Sequence, residues 1–384
     1  MPLGGRQHDS GMHAAPRFHQ LDFLRGLACL AVVAFHFLHR GQQGGWLVDT
    51  TWPWLQSLAA LGHLGVHLFF MISGFVILMT AQGATVRGFV ASRVARLYPA
   101  FWVSVLLTAL VAWVSGSEAF AVTPGQVLVN LTMVPQWVQV EFVDGAYWSL
   151  AVELQFYLMV IALLHFRQLR RVERWIGVWL FLSSVNALRP MYPLEFWLDV
   201  RWAPLFSAGM LFYRVSRRGW NLQRYLLLLW SFSLTLWYGW VGAVGSKLGD
   251  EVVWLGMPAQ VMLCLTLFYA LFLAIVSDKL EMRASPLVFW FGVLTYPVYL
   301  LHQNIGYIAL MAPLESWRAL DFHLRVLLVF AAVVVVSWMV HRWIERPLSG
   351  WLRRSLVASR PRPTAVDPAS AIAANEMEPR TALH

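Results

Sequence analysis

The chain has 384 residues, of which 59% are hydrophobic and 13% charged, where soluble domains carry roughly 25% charged residues. Apolar runs recur along the whole length, which excludes a single soluble domain and indicates a polytopic membrane protein. The net charge of +9 resides largely in short loops between those runs, so it reads as membrane topology and no nucleic-acid partner is expected. The two cysteines, Cys29 and Cys264, both lie inside apolar runs, and neither a disulfide framework nor a metal site is expected.

The predicted fold is all-α. About ten transmembrane helices are placed at 21–38, 58–80, 96–115, 147–166, 174–188, 200–215, 224–243, 253–276, 287–309 and 322–345, each near the ~20 residues a bilayer needs. The fifth and sixth are the shortest. The 21 tryptophans suit interfacial belts. No cleavable signal peptide is read before the first span, so 1–20 is taken as a short leading segment. One set of loops carries Arg87 and Arg93, then Arg167 to Arg174, then Arg214 to Arg224, then Lys279 and Arg283, whereas the loop 116–146 contains Glu118, Glu141 and Asp144 and no Lys or Arg. The positive-inside rule makes the first set cytoplasmic, and an even span count then puts both termini in the cytoplasm. A membrane domain over 21–347 is followed by 348–384, read as a cytoplasmic disordered tail because the stretch from 355 is rich in Ala, Pro, Ser and Arg without apolar periodicity.

Polar residues inside apolar helices are costly and therefore informative. In the first span RGLACLAVVAFH places Arg25 eleven residues before His36. That is about three turns, one shared face and roughly 16 Å along the axis. Arg25 has the alternative of snorkelling to the interface, and His36 that of a core histidine satisfied by a carbonyl. The second span, with His67, Phe69, Phe70, Ser73 and Gly74, combines polar groups with small residues that permit close helix approach. At the start of the third, RVARLYP sets Arg93 and Arg96 on one face, which suits a phosphate-bearing ligand or equally a topology signal. The fourth begins YWSLAVELQFY, with Ser149, Glu153 and Tyr157 on one stripe. Glu153 is at a depth similar to His36, so a His–Glu pair is feasible. In the ninth, TYPVYLLHQNIG, Thr295, Tyr299 and His302 form another stripe, and Pro297 is a candidate kink. The last span ends in HRWIERPLSGWLRR, where Glu345 and Arg346 anchor the cytoplasmic end. Such an interior serves a proton-coupled transporter, or an enzyme using histidine as general base; the side chains alone leave both open.

Taken together, these stretches resemble the acyltransferase 3 family of polytopic membrane acyltransferases. The residues carrying the resemblance are the R-x10-H of Arg25 and His36, FFMISGF, RVARLYP, WSLAVE, YLLH and IERP, in order from about 21 to 347. The resemblance implies an O-acyltransferase of a bacterial inner membrane. It would take an acyl group, commonly acetyl, from coenzyme A on the cytoplasmic side and deliver it to a hydroxyl of a carbohydrate such as a surface polysaccharide. By the same resemblance His36, Arg25 and Glu153 are the catalytic set. Arg93 and Arg96 bind the donor's phosphates, and Ser73, Tyr299 and His302 are further substrate-binding candidates. No bound cofactor or metal is implied; acetyl-CoA is a donor substrate. Some members carry a fused esterase-like domain. None is read in this sequence, so the chain is expected either to complete transfer alone or to hand over to a separate periplasmic partner.

Overall fold

The computed structural model describes residues 18–47, 51–245 and 256–357. Among these there are helices and connecting turns and no strand. The long helices are α1 (His19–Phe35), α2 (Leu64–Ala81), α3 (Val86–Ser115), α4 (Trp148–His165), α5 (Val172–Leu188), α6 (Ala203–Arg218), α7 (Leu222–Gly245) and α8 (Gly256–Val276). They are followed by α9 (Pro286–Leu301), α10 (Gln303–Leu310), α11 (Phe322–Val340) and α12 (Arg346–Val357). Each of the ten expected spans coincides with one of these helical bodies, α9 with α10 and α11 with the start of α12 forming one body each. Among the described residues seven bodies are long and apolar enough to cross a membrane: His19–Gln43, Pro53–Ala81, Val86–Ser115, Gly145–His165, Leu222–Gly245, Gly256–Val276 and Phe322–Leu356. Helices α5, α6 and α9 are shorter, at 17, 16 and 16 residues.

One departure concerns the tail. Arg346–Val357 is helical, so the first ten residues of the expected disordered segment continue the last helix. They pack on α3, and Arg87 Nε donates to the Leu356 carbonyl at 2.8 Å. Apolar Trp351 and Leu352 amid Arg353 and Arg354 give this helix the amphipathic pattern that a count of Ala, Pro and Ser further on does not reveal. The rest of that segment, and most of 1–20, lie outside the described residues.

The core is built on α2. Its apolar, all-round buried surface packs most extensively on α6, and then on α1. Close approach is enforced by glycine: a Cβ at Gly209 of α6 would lie 1.9 Å from the Met71 carbonyl oxygen, and one at Gly74 of α2 would lie 2.2 Å from that of Phe206. Each helix therefore presents a missing side chain to the other's backbone, the small-residue packing of membrane bundles. Helix α1 also packs on α9, and α7 on α8.

At the end of the bundle opposite the arginine-rich loops, Asp144 ties two chain segments together. Its Oδ1 accepts from the Ala146 amide at 2.8 Å, and its Oδ2 from the Asn304 amide at 2.9 Å. The start of α4 is thereby joined to the start of α10, just after His302. Burial pushes this carboxyl up to about 6 despite the two amide bonds. Because the folded value exceeds the ordinary carboxyl value of 3.8, the folded state holds the proton more tightly than the unfolded state. Stability is then full below the unfolded value and falls as pH rises toward the folded one. The melting temperature in detergent is expected to decline between about pH 4 and pH 6, and Asp144→Asn to remove that decline; an unchanged pH slope in the variant would contradict this.

Candidate functional site

A cavity of about 780 Å³, counting its mouth, lies among α1, α2, α3, α4 and α9. Six expected site residues line it: Arg25, Ser73, Arg93, Arg96, Glu153 and Tyr299. Toward the arginine-rich end it meets a second opening, which shares Arg25, Arg96 and Tyr296 and adds His341, Glu345 and Arg353. A passage thus runs from that end of the bundle into its interior, with Arg25 and Arg96 where the two spaces meet.

The stripes expected on α4 and α9 face each other. Ser149 Oγ and the Tyr299 hydroxyl are 2.7 Å apart. One turn further in, Glu153 Oε1 accepts from the Tyr157 hydroxyl at 2.6 Å and from the Ser73 hydroxyl. The Arg93 guanidinium sits 5.9 Å from the centre of the Tyr157 ring, a favourable cation–aromatic arrangement. Arg25 pairs with Asp22 at 3.6 Å, one turn earlier on its own helix, a spacing the sequence displayed.

His36 stands apart from this cavity. Where α1 ends, the chain makes a single wide π-turn, His36–Arg40. His36 Nδ1 lies 2.9 Å from the Val32 carbonyl and 3.0 Å from His302 Nε2. The His36–Glu153 pair that similar depth made feasible does not form: Glu153 is engaged by Ser73 and Tyr157, and His36 by His302. The anticipated catalytic set is divided: Arg25 and Glu153 line the cavity, and His36 lies beyond it. The division is not wide. Tyr299 lines the cavity, and its ring centre is 5.6 Å from that of His302.

The hydrogen bonds fix which nitrogen of each neutral ring carries the proton. His302 Nδ1 is 2.8 Å from the Tyr299 carbonyl; a carbonyl only accepts, so Nδ1 donates and Nε2 is left as acceptor. His36 Nδ1, beside the Val32 carbonyl and the His302 Nε2 lone pair, must likewise donate. The lone pair of His36 then resides on Nε2, the atom a general base needs free. His302, foreseen as a substrate contact, is placed to orient His36.

Two tyrosines escaped the sequence reading. The Tyr296 hydroxyl, which donates to the Leu97 carbonyl at 3.0 Å, belongs to a residue lining both parts of the passage. The Tyr307 hydroxyl donates to the His36 carbonyl at 3.2 Å. Adjacency to Pro297 was the only signal for the first. The second is visible only once α10 lies beside the π-turn. Among the described residues no group of three or more metal-ligating side chains converges.

A family profile described as an acyltransferase domain matches residues 18–342. Similar curated proteins include the peptidoglycan O-acetyltransferase OatA of Listeria monocytogenes, 23% identical over an alignment of 383 positions that covers 85% of this chain and 55% of that protein. The acyltransferase MdmB of Streptomyces mycarofaciens is 29% identical over 37% of this chain and 39% of its own length. Nodulation protein 10 of Rhizobium leguminosarum bv. viciae is 25% identical over 58% and 69%. The chain thus spans about half the length of the first of these relatives and less of the second. No solved structure matches significantly.

Proposed function

The chain belongs to the acyltransferase 3 family of membrane acyltransferases, and from that premise we propose that it moves an acetyl group from acetyl-CoA, entering at the arginine-rich end, to a hydroxyl of a carbohydrate presented at the opposite end. The relatives named for acyl and O-acetyl transfer support an enzyme over the transporter that the polar interior alone left open. The observation that carries the finer reading is the passage itself. It opens among arginines, passes Arg25 and Arg96, which line both of its parts, and reaches Tyr299, one side chain from the His36–His302 pair.

In this reading the arginine-rich end is cytoplasmic and the membrane is a bacterial inner membrane. Arg93 and Arg96 meet the donor's phosphates with charge-assisted hydrogen bonds. Arg25, held by Asp22, supplies a further cation along the arm. Glu153, through Ser73 and Tyr157, fixes the wall between α2 and α4. The acceptor hydroxyl attacks the thioester carbonyl while His36 Nε2 takes its proton; the C–S bond breaks and the thiolate leaves as CoA after protonation. His302 is a positioning residue, and Tyr299 bounds the space in which the carbonyl comes to rest.

Two results are expected. With purified protein, Arg96→Gln raises the KM for acetyl-CoA about tenfold or more, the loss of one charge-assisted contact worth ~1.5–3 kcal/mol, with a smaller change in kcat. An unaltered KM in Arg93→Gln and Arg96→Gln alike would remove the donor from this passage. His302→Phe, which lacks the acceptor nitrogen, lowers kcat about tenfold to hundredfold and alters the pH profile of kcat, because the His36 tautomer is no longer enforced. His302→Gln, whose amide oxygen can accept from His36 Nδ1, recovers part of that loss. A pH profile identical to wild type in His302→Phe would leave it a packing role only.

A further inference from the structure

A second cavity, of about 1230 Å³ with its mouth, opens at the end of the bundle opposite the arginine-rich loops. It lies between the His36 turn and helices α2, α6, α7 and α8, and it shares no residue with the passage described above. Helix α2 is the wall between the two spaces: Val66, Phe69, Phe70 and Ser73 line the passage, and His63, just before it, and His67 line the second cavity. His36 sits between them. On one side the ring of its partner His302 lies 5.6 Å from that of Tyr299 of the passage; on the other its own ring centre is 5.1 Å from that of Phe35, which lines the second cavity.

The lining has the chemistry of a site for an anionic sugar. Arg40 and Arg201 both contribute to it, and no carboxylate does among the described residues. Their guanidinium groups rest near aromatic faces, Arg40 at 5.8 Å from the Trp46 ring centre and Arg201 at 5.8 Å from that of Trp202, which leaves their N–H groups for a ligand. Trp202 itself lines the cavity and offers an aromatic surface. His63 Nδ1 donates to the Ala60 carbonyl at 2.7 Å, so in the neutral ring Nε2 is left as an acceptor for a hydroxyl. Guanidinium forks for a carboxylate or phosphate, an aromatic face for a sugar ring and a ring nitrogen for a hydroxyl are the few convergent polar groups by which a concave site selects its ligand.

We infer that this cavity binds the acceptor, and that the acceptor is a sugar bearing a carboxylate or phosphate near the hydroxyl that is acylated. The inference rests on the transferase reading above and adds to it a second site and a charge preference.

The test is a titration of the purified protein in nanodiscs of zwitterionic lipid with three probes: methyl β-glucoside, methyl β-glucuronide and methyl β-glucoside 6-phosphate. Binding is read by saturation-transfer NMR, and acetyl-CoA binding is measured on the same samples. At least one charged probe is expected to bind about tenfold tighter than the neutral one, and Arg40→Gln and Arg201→Gln each to reduce that preference. Which charged probe wins distinguishes a carboxylated from a phosphorylated acceptor. Retained acetyl-CoA binding in the variants shows that they are folded. Equal binding of all three probes by a protein that binds acetyl-CoA, or a preference that survives in the Arg40→Gln/Arg201→Gln double variant, overturns the inference and leaves the donor site standing. A charge preference abolished by those substitutions in a protein that does not bind acetyl-CoA supports the cavity and overturns the transferase donor reading instead.

Discussion

His36→Gln is expected to lower acetyl transfer by about 10²–10⁴-fold, the range that a positioned general base contributes, with donor affinity little changed. Glutamine is close to histidine in reach, and its amide can donate to the Val32 carbonyl as the imidazole Nδ1 does at 2.9 Å. What it lacks is a basic nitrogen. The three bonds that order the pair, Tyr299 carbonyl to His302 Nδ1, His302 Nε2 to His36 Nδ1 and His36 Nδ1 to the Val32 carbonyl, all serve to leave His36 Nε2 unprotonated. A loss in kcat at constant KM for acetyl-CoA, in a variant present at wild-type level, is the expected signature. Turnover equal to wild type would take His36 out of the chemistry.

Gly209→Val is expected to destabilise the protein by about 3 kcal/mol or more, at the upper end of what overpacking costs, and to reduce its level in the membrane. A Cβ there would lie 1.9 Å from the Met71 carbonyl oxygen and 2.7 Å from the Phe75 amide nitrogen. Both are backbone atoms of α2 and no rotamer change relieves the clash. Helix α6 would have to move off α2, and α2 carries Ser73 toward Glu153 and His67 toward the second cavity. Gly125→Ala is the contrast: a Cβ at Gly125 meets nothing within 4 Å. Thermal melting of the two variants in detergent separates them, and a wild-type melting temperature for Gly209→Val would contradict the close-packed seam.

What periodicity could reveal, it did. Ser149, Glu153 and Tyr157 share a stripe, as do Thr295, Tyr299 and His302, and the two stripes meet at Ser149 and Tyr299. A repeat of three to four residues tells which groups share a face. It does not tell which other helix that face meets, so the Ser73–Glu153 and His36–His302 contacts, 80 and 266 residues apart in sequence, were out of reach. The chain is also irregular at both histidines: the π-turn begins at His36 and α9 gives way to α10 at His302, although both residues keep helical backbone angles. Neither irregularity has a breaker at its own position. Pro297 lies five residues before the break, within α9.

In the proposed reaction the acetyl group crosses the bundle from one end to the other. The most direct measurement encloses radiolabelled acetyl-CoA inside proteoliposomes of the purified protein and supplies a carbohydrate acceptor only outside. Labelled ester is expected to accumulate on the external carbohydrate, with CoA released inside, and neither is expected in His36→Gln vesicles. Label appearing only when donor and acceptor are placed on the same side would contradict it.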